Sequence, residues 1–392
     1  MKRLFRDLLF LVIGSVLLWI IFSRWVGINV PLGTKDSPTS QLLANRMVLP
    51  DGFAVSVYAS GLRGIRLLHL TSKDDLLASI PRSGKIVLIE QDRNIKGQVA
   101  NRRNLITGLN RPHGIEIYKD WLYVAETGGI GRILFDVETG KTRGKFEPIV
   151  TGLPAGGNHW SRTIHFGPDG LMYVSIGSSC NVCEEGDPRR ASIMRFRPDG
   201  SNGEIYATGL RNTVGFGWQP ETNDLYGVDN GRDLLGDDFP PCELNRIEQD
   251  KFYGWPYTNG NKVADPDFGE GNDQRIQESI APVHAFGAHT APLAITFLKN
   301  KNLPSSFDDA AIVALHGSWN RSQKTGYQLV SLHFDGEGNV TERPFLTGFE
   351  LNGDVLGRPV DVAEGSDGSL FVSDDYSGTI YRITYSGTSN HN

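Results

Sequence analysis

Cysteine is scarce in this chain: three in 392 residues, at Cys180, Cys183 and Cys242. Cys180 and Cys183 have no second pair to complete a zinc site, and no strand–helix–strand context makes them a thioredoxin-like redox pair. The sequence contains no CxxCH for haem attachment, no GxSxG elbow, no HExxH and no glycine-rich run of the nucleotide-cradling kind. The segment from Asp229 to Glu243 lacks the alternating acids and terminal glutamate of a helix-loop-helix calcium site. Positive charge is also short. Lys and Arg number 39 against 45 Asp and Glu. Residues 1–26 carry Lys2, Arg3, Arg6 and Arg24 against Asp7, so the remainder is more acidic still, at −9. An acidic body without a basic stripe argues against nucleic-acid binding. After the N-terminus, no long amphipathic helix pattern appears.

One long apolar run is present, Leu8 to Phe22, with Leu4, Phe5 and Trp25 at its edges. It is short for a span of about 20 residues, but Arg6 can snorkel. No small-x-small cleavage site follows it. The reading is a single N-terminal transmembrane helix, an uncleaved anchor over residues 1–26. The basic residues ahead of it keep the N-terminus in the cytoplasm and place the body in the periplasm or outside the cell. Residues 27–46 read as a linker, 47–386 as the folded body and 387–392 as a disordered tail.

Glycine is plentiful, 46 of 392. With no tripeptide period, so many glycines imply tight turns and an all-β chain. Six units follow one another, each a turn, a short strand and a second strand. They begin near Thr71, Tyr118, Gly167, Asn223, Phe307 and Ser366. Most lie about 45 to 60 residues apart, the blade spacing of a β-propeller, here six-bladed. Leads such as Arg111–Ile117 and Arg358–Val362 precede the units and should line the central channel. The widest interval holds a polar stretch, Asn259 to Gln277, of a length usually functional or disordered.

A propeller is a scaffold, so function must come from residues at the channel mouth. Asn158-His159-Trp160-Ser161-Arg162 puts a histidine there, a side chain suited to general-base work near pH 7. A satisfied structural histidine fits the same place, and His113, His289 and His316 occupy comparable positions. Arg211-Asn212 offers a guanidinium and an amide able to grip a carboxylate or quinone oxygen; a salt bridge at a turn fits equally. The Asp229–Glu243 loop offers backbone carbonyls and carboxylates for calcium, or is simply a solvated acidic loop. Trp319 with Arg321 and Lys324 offers a stacking face and charge for an acidic ligand, or a packed indole with surface cations. In an exported body Cys180 and Cys183 read as a local disulfide, with Cys242 left over.

In order, the chain reads NHWSR, GLRN, VDNGRD, CELN, YGWP, HGSWNR, GRPVDV and SDGSLFVSDD. Over Leu49 to Tyr385 this resembles the soluble glucose dehydrogenase and sorbosone dehydrogenase family, which uses pyrroloquinoline quinone (PQQ). The resemblance is most specific in the second half. It implies a six-bladed propeller with PQQ and Ca²⁺ over the channel, oxidising a sugar or other alcohol by hydride transfer. It implies His159 as base and Arg211 with Asn212 on the cofactor. It also implies the Gly231 and Arg232 carbonyls on calcium, and Arg358 on a cofactor carboxylate. Lys324 matches a cofactor lysine, with Arg321 as the alternative, and Glu243 is a further metal candidate. Cys242 stands where the family pattern has a hard oxygen ligand, which calcium does not favour exchanging for a thiol. The electron acceptor would be a separate quinone or cytochrome. Two other classes stay open: a non-catalytic, membrane-anchored propeller binding a carbohydrate or protein ligand, and a calcium-dependent lactone or ester hydrolase. The hydrolase needs more acids converging on the axis than the strand ends supply.

Overall fold

In the computed structural model, which describes residues 28–31 and 33–387, six blades follow one another along the chain, each built on four antiparallel strands; the third adds a short fifth strand, Lys251–Phe252, parallel to its outer edge. Their innermost strands are Leu68–Leu70, Ile115–Tyr118, Ile164–Phe166, Thr213–Trp218, Pro292–Phe297 and Pro359–Glu364. Each neighbours the next, the third and fourth through the His165 and Phe216 rings 5.1 Å apart, and the last neighbours the first, so the six enclose an axis. The leads expected to line the channel do so: Glu116 and Val362 border its hollow. The ring is closed by the N-terminal strand Phe53–Ala59, which pairs with the C-terminal strand Thr379–Tyr385 as the outer edge of the sixth blade.

Burial explains the strand sequences. The second strands Leu76–Ile80, Met172–Ile176, Leu225–Asp229, Ala311–Leu315 and Leu370–Asp374 are buried at every residue. Each is covered on both faces by neighbouring blades, so it reads as a continuous apolar run rather than an alternation. The outer strand Phe53–Ala59 alternates half-buried with exposed, since one of its faces meets water. The core is accordingly six interfaces between adjacent blades rather than one central mass. Val214, Leu293 and Val360 form a small seventh cluster between the inner strands of blades four, five and six.

Two expectations need amendment. Residues 40–46, assigned to the linker, form a short helix, Ser40–Arg46, capped by Thr39. Its Leu43 is buried in the cluster between blades five and six, so this segment belongs to the body. The Asn259–Gln277 stretch is ordered, with a small hairpin pairing Thr258–Asn259 with Val263–Ala264 and a helix, Asp273–Glu278. The proposed transmembrane run lies outside the described residues, as do residues 388–392; among the described residues no helix is long and apolar enough to cross a membrane.

Candidate active site

The leading ends of the inner strands carry the sequence-predicted groups. His159 lies just ahead of the third inner strand. Its Nδ1 faces the Ser178 carbonyl at 3.0 Å and the Ser178 Oγ at 2.8 Å. The Ser178 hydroxyl donates its own proton to the Cys180 carbonyl at 2.8 Å. Both groups facing Nδ1 therefore accept, which assigns the ring proton to Nδ1 and leaves Nε2 as a lone-pair acceptor. The imidazole is pushed down to about 3, first by burial and then by the charges of Arg211, Arg190 and Arg162. It is neutral across the physiological range.

Those three guanidinia define the site's electrostatics. Arg162 is 0% exposed and donates to the carbonyls of His159 at 3.0 Å, Ser161 at 2.6 Å and Pro154 at 2.5 Å. It thereby fixes the loop that carries His159. Arg190, 6% exposed, donates to the carbonyls of Gly177 and Gly156. Among the described residues neither makes a salt bridge with a carboxylate, and burial lowers both, Arg162 to about 9; Glu185 and Asp187 act on Arg190 through space in the opposite direction. Arg211, 4% exposed, is the third. It donates to the Asn181 carbonyl at 2.8 Å, the Asn181 Oδ1 at 2.9 Å, the Asn230 carbonyl at 3.0 Å and Asp233 at 3.2 Å. It is a buried ion pair, so the salt-bridge alternative holds in part, and its charge still bears on His159. Asn212 meets His159 over Gly177: a Cβ there would lie 2.6 Å from the Asn212 Oδ1 and 2.6 Å from the His159 Cβ. Only glycine permits that approach.

The loop from Asn230 to Asp233 answers whether calcium fits. Its flanking carbonyls are taken, Asn230 by Arg211 and Asp233 by the Asn181 amide at 3.1 Å. Between them, the carbonyls of Gly231 and Arg232 accept no hydrogen bond among the described residues. Two adjacent free carbonyls beside a paired arginine suit a hard cation. The Arg232 side chain points elsewhere, to both oxygens of Asp265 at 2.7 and 2.8 Å and to Asp267 at 2.9 Å, which anchors the long polar stretch. Cys242 is a buried free thiol under this loop, facing the Gly231 and Ala291 amides and the Thr290 hydroxyl; burial pushes it up.

Glu243 spends its oxygens inside the protein, on the Gly260 amide at 2.8 Å and the Asn245 amide at 3.1 Å. Burial, then the Asp229 charge, push its carboxyl up to about 8 from an ordinary 4.5. The folded chain thus holds that proton more tightly than the unfolded one. Stability is fully present below about 4.5 and falls as pH rises towards 8. Glu243→Gln should remove most of this loss, on the order of 3 kcal/mol. A glutamine amide can also donate to the Asn245 oxygen, buried and without a partner, once that amide turns over. Melting midpoints at pH 5.5 and pH 8 check this: the variant should narrow the gap between them, and an unchanged gap would refute it.

The remaining predicted residues fall into two further groups on this face. Arg358 donates to Asp375 Oδ1 from Nε at 3.0 Å, with a second contact from its terminal nitrogen at 2.9 Å. His316 and Arg66 meet the same carboxylate, each at 3.1 Å. Burial alone would raise Asp375, but these partners hold it well below the carboxylate range; burial lowers His316 to about 4. Arg321 donates to the Asp237 carbonyl at 2.6 Å and to Asp238 at 2.9 Å, tying the fifth-blade loop to the Asp229–Asp238 loop. Lys324 donates to Asn29, which also binds the Trp319 and Ser322 carbonyls. The competing histidines are engaged too: His289 faces the Gly236 carbonyl at 2.7 Å and His113 is wholly buried beside Arg162.

Sequence reasoning gave no role to Arg190, Arg66, Asp375 or Asn181. Arg190 and Arg66 sit in no motif, and only the fold brings them here. A hollow of about 590 Å³ opens at the opposite mouth, where the inner strands end. There Glu116 accepts from His165 at 3.0 Å and faces His69 at 3.6 Å. None of the predicted groups lines it.

Residues 116–382 match the family described as Glucose / Sorbosone dehydrogenase. An uncharacterized protein of Borreliella burgdorferi is 36% identical over 218 residues, 55% of this chain and 57% of that protein. A pyrroloquinoline quinone-dependent pyranose dehydrogenase of Coprinopsis cinerea is 24% identical over 408 residues, 86% of this chain and 54% of the enzyme. The chain thus spans little more than half the length of these two relatives. A calcium structure of a Trichoderma reesei carbohydrate-active enzyme of family AA12 superposes with a TM-score of 0.76. It is 22% identical, and the match covers 91% of this chain and 99% of that one; at this identity the likeness speaks for the fold.

Proposed function

This chain belongs to the glucose/sorbosone dehydrogenase family, and from that premise we propose that it oxidises a sugar or other alcohol with PQQ and calcium. The observation that carries the reading is electrostatic. Among the described residues Arg162 is buried with no carboxylate near it, and Arg190 is buried with Glu185 and Asp187 acting on it only through space, beside a neutral imidazole whose Nε2 is a free acceptor. Buried charge left uncompensated is costly, and an acidic cofactor would offset it. The same anion would draw the imidazole back up from about 3 towards a range where it takes protons well.

When bound, PQQ supplies the electron sink that receives the substrate hydride, with calcium polarising its carbonyl. The chain's own residues do the rest. His159 Nε2 takes the hydroxyl proton of the substrate, while Ser178 holds Nδ1–H and so keeps the ring turned and in the right tautomer. Arg211 places a fixed positive charge beside the Asn212 amide. The Gly231 and Arg232 carbonyls would hold the cation, and Arg358 and Arg66 keep the Asp375 carboxylate neutralised on the same face, with His316 hydrogen-bonded to it. Electrons would leave to a separate quinone or cytochrome acceptor. A membrane anchor over residues 1–26 is supported by the apolar run and the basic residues before it.

The test is oxidation of an aldose panel by the purified chain loaded with PQQ and calcium, read by reduction of a dye. Turnover that needs both additions is the expected result. Saturable sugar binding with no dye reduction would transfer the reading to a carbohydrate-binding module.

A further inference from the structure

We propose that the Cys180–Cys183 loop is the positioning clamp of this site, its disulfide setting where His159 and Arg211 stand relative to one another; this rests on the dehydrogenase reading. The two cysteines are joined across a separation of three residues. Residues 179–184 have no regular secondary structure, and the four residues from Cys180 to Cys183 are half-buried. Two arms leave this short ring. One runs from the Cys180 carbonyl through the Ser178 hydroxyl at 2.8 Å to the His159 Nδ1 at 2.8 Å. The other starts at Asn181, between the cysteines. Its carbonyl and Oδ1 both accept from Arg211, at 2.8 and 2.9 Å. The same Oδ1 accepts the Asp233 amide at 2.8 Å, and the Asn181 amide donates back to the Asp233 carbonyl at 3.1 Å. Asp233 borders the free carbonyls of Gly231 and Arg232. The base, the buried arginine and the carbonyl pair therefore hang from one four-residue ring.

Stability of the whole fold does not account for this bond. In the chain-entropy account, a disulfide stabilises less the shorter the loop it closes, and this loop is among the shortest possible. What a short ring does limit is local freedom. An irregular loop holding two groups by hydrogen bonds alone can shift, and a shift of about 1 Å at reacting groups costs on the order of 10²-fold in rate.

The experiment uses the full chain, a Cys180→Ser/Cys183→Ser double variant and Asn181→Ala. The first readout is the titration of His159 by NMR on the PQQ-free chain, identified as the signal missing from His159→Gln. The charged groups around this ring are Arg211, Arg190 and Arg162, with Glu185 bound to Ser179 and Asp233 bound to Arg211. The second readout is PQQ affinity with calcium present, by quenching of tryptophan fluorescence. The third is the melting midpoint.

In the double variant His159 should titrate at higher pH, as its packing loosens. PQQ affinity should fall about 10- to 100-fold, the range for lost supporting contacts, while the midpoint moves by only a few degrees. Asn181→Ala keeps the disulfide and the His159 arm, so affinity should fall with much less change in the titration. A double variant whose titration and affinity both match the parent would overturn the clamp. Failure of the parent to bind PQQ would instead overturn the dehydrogenase reading. The clamp would then be decided by the titration, which needs no cofactor, and an unchanged His159 signal would refute it.

Discussion

His159→Gln should leave the chain folded and PQQ bound, and should cut turnover by about 10²- to 10⁴-fold, the usual cost of losing a positioned base. Glutamine is close to histidine in size, and its amide can still donate to the Ser178 carbonyl that now faces Nδ1. What it lacks is a lone-pair nitrogen at Nε2 that can be protonated. The acid limb of the rate profile should therefore vanish with the bulk of the rate. Protonation of the ring switches the parent off as pH falls, and raising pH switches it on; the bound anion draws that point up from the depressed value of the cofactor-free chain. Melting midpoints and the bound-cofactor spectrum separate this from misfolding. A folded, PQQ-loaded variant turning over at the parental rate would remove His159 from the mechanism.

Arg211→Ala should be more damaging, because one side chain serves two purposes. Its guanidinium makes four hydrogen bonds, to Asn181 twice, to Asn230 and to Asp233. Alanine leaves Asp233 without its cation and the Asn230 carbonyl without its donor. Truncating one partner of a buried pair typically costs about 3–5 kcal/mol; Asp233 keeps some solvent contact, so the lower end is expected. PQQ affinity should drop at least about tenfold, since a charge-assisted contact contributes more than about 1.4 kcal/mol. Arg211→Lys should regain part of the stability and little of the affinity, because one ammonium cannot span three acceptor residues in a planar fork. Calorimetry and PQQ titration of the three proteins read both effects. Parental affinity in the alanine variant would show that this arginine only braces the loops.

Much of this arrangement was legible in the sequence for a physical reason. Blade strands are local: Met172–Ile176 and Leu370–Asp374 are apolar runs bounded by turn residues, and their repetition is visible without knowing what packs on them. Residues just ahead of inner strands converge because every blade starts at the same face, so His159, Arg211 and Arg358 could be placed from spacing. The supporting groups could not. Arg190 bonds the carbonyls of Gly177 and Gly156, 13 and 34 residues away, and nothing local marks it. Arg66 reaches Asp375 across 309 residues, a contact that exists because the ring closes on itself. Asn181 carries no signal of its own in the sequence, and only the fold sets Arg211 against it. Nor did the loop length of Asn259–Gln277 foretell order, because the ion pair of Arg232 with Asp265 and Asp267 that anchors it joins two separate stretches.

The central claim is that this face binds an acidic quinone through calcium held on two backbone carbonyls and a field of buried arginines. Its most direct test is equilibrium titration of the purified chain with PQQ, once with calcium in excess and once with a chelator. The account predicts saturable binding of one PQQ per chain with calcium, and loss of most of that affinity without it. Absence of saturable binding in either condition, or binding indifferent to calcium, would contradict it.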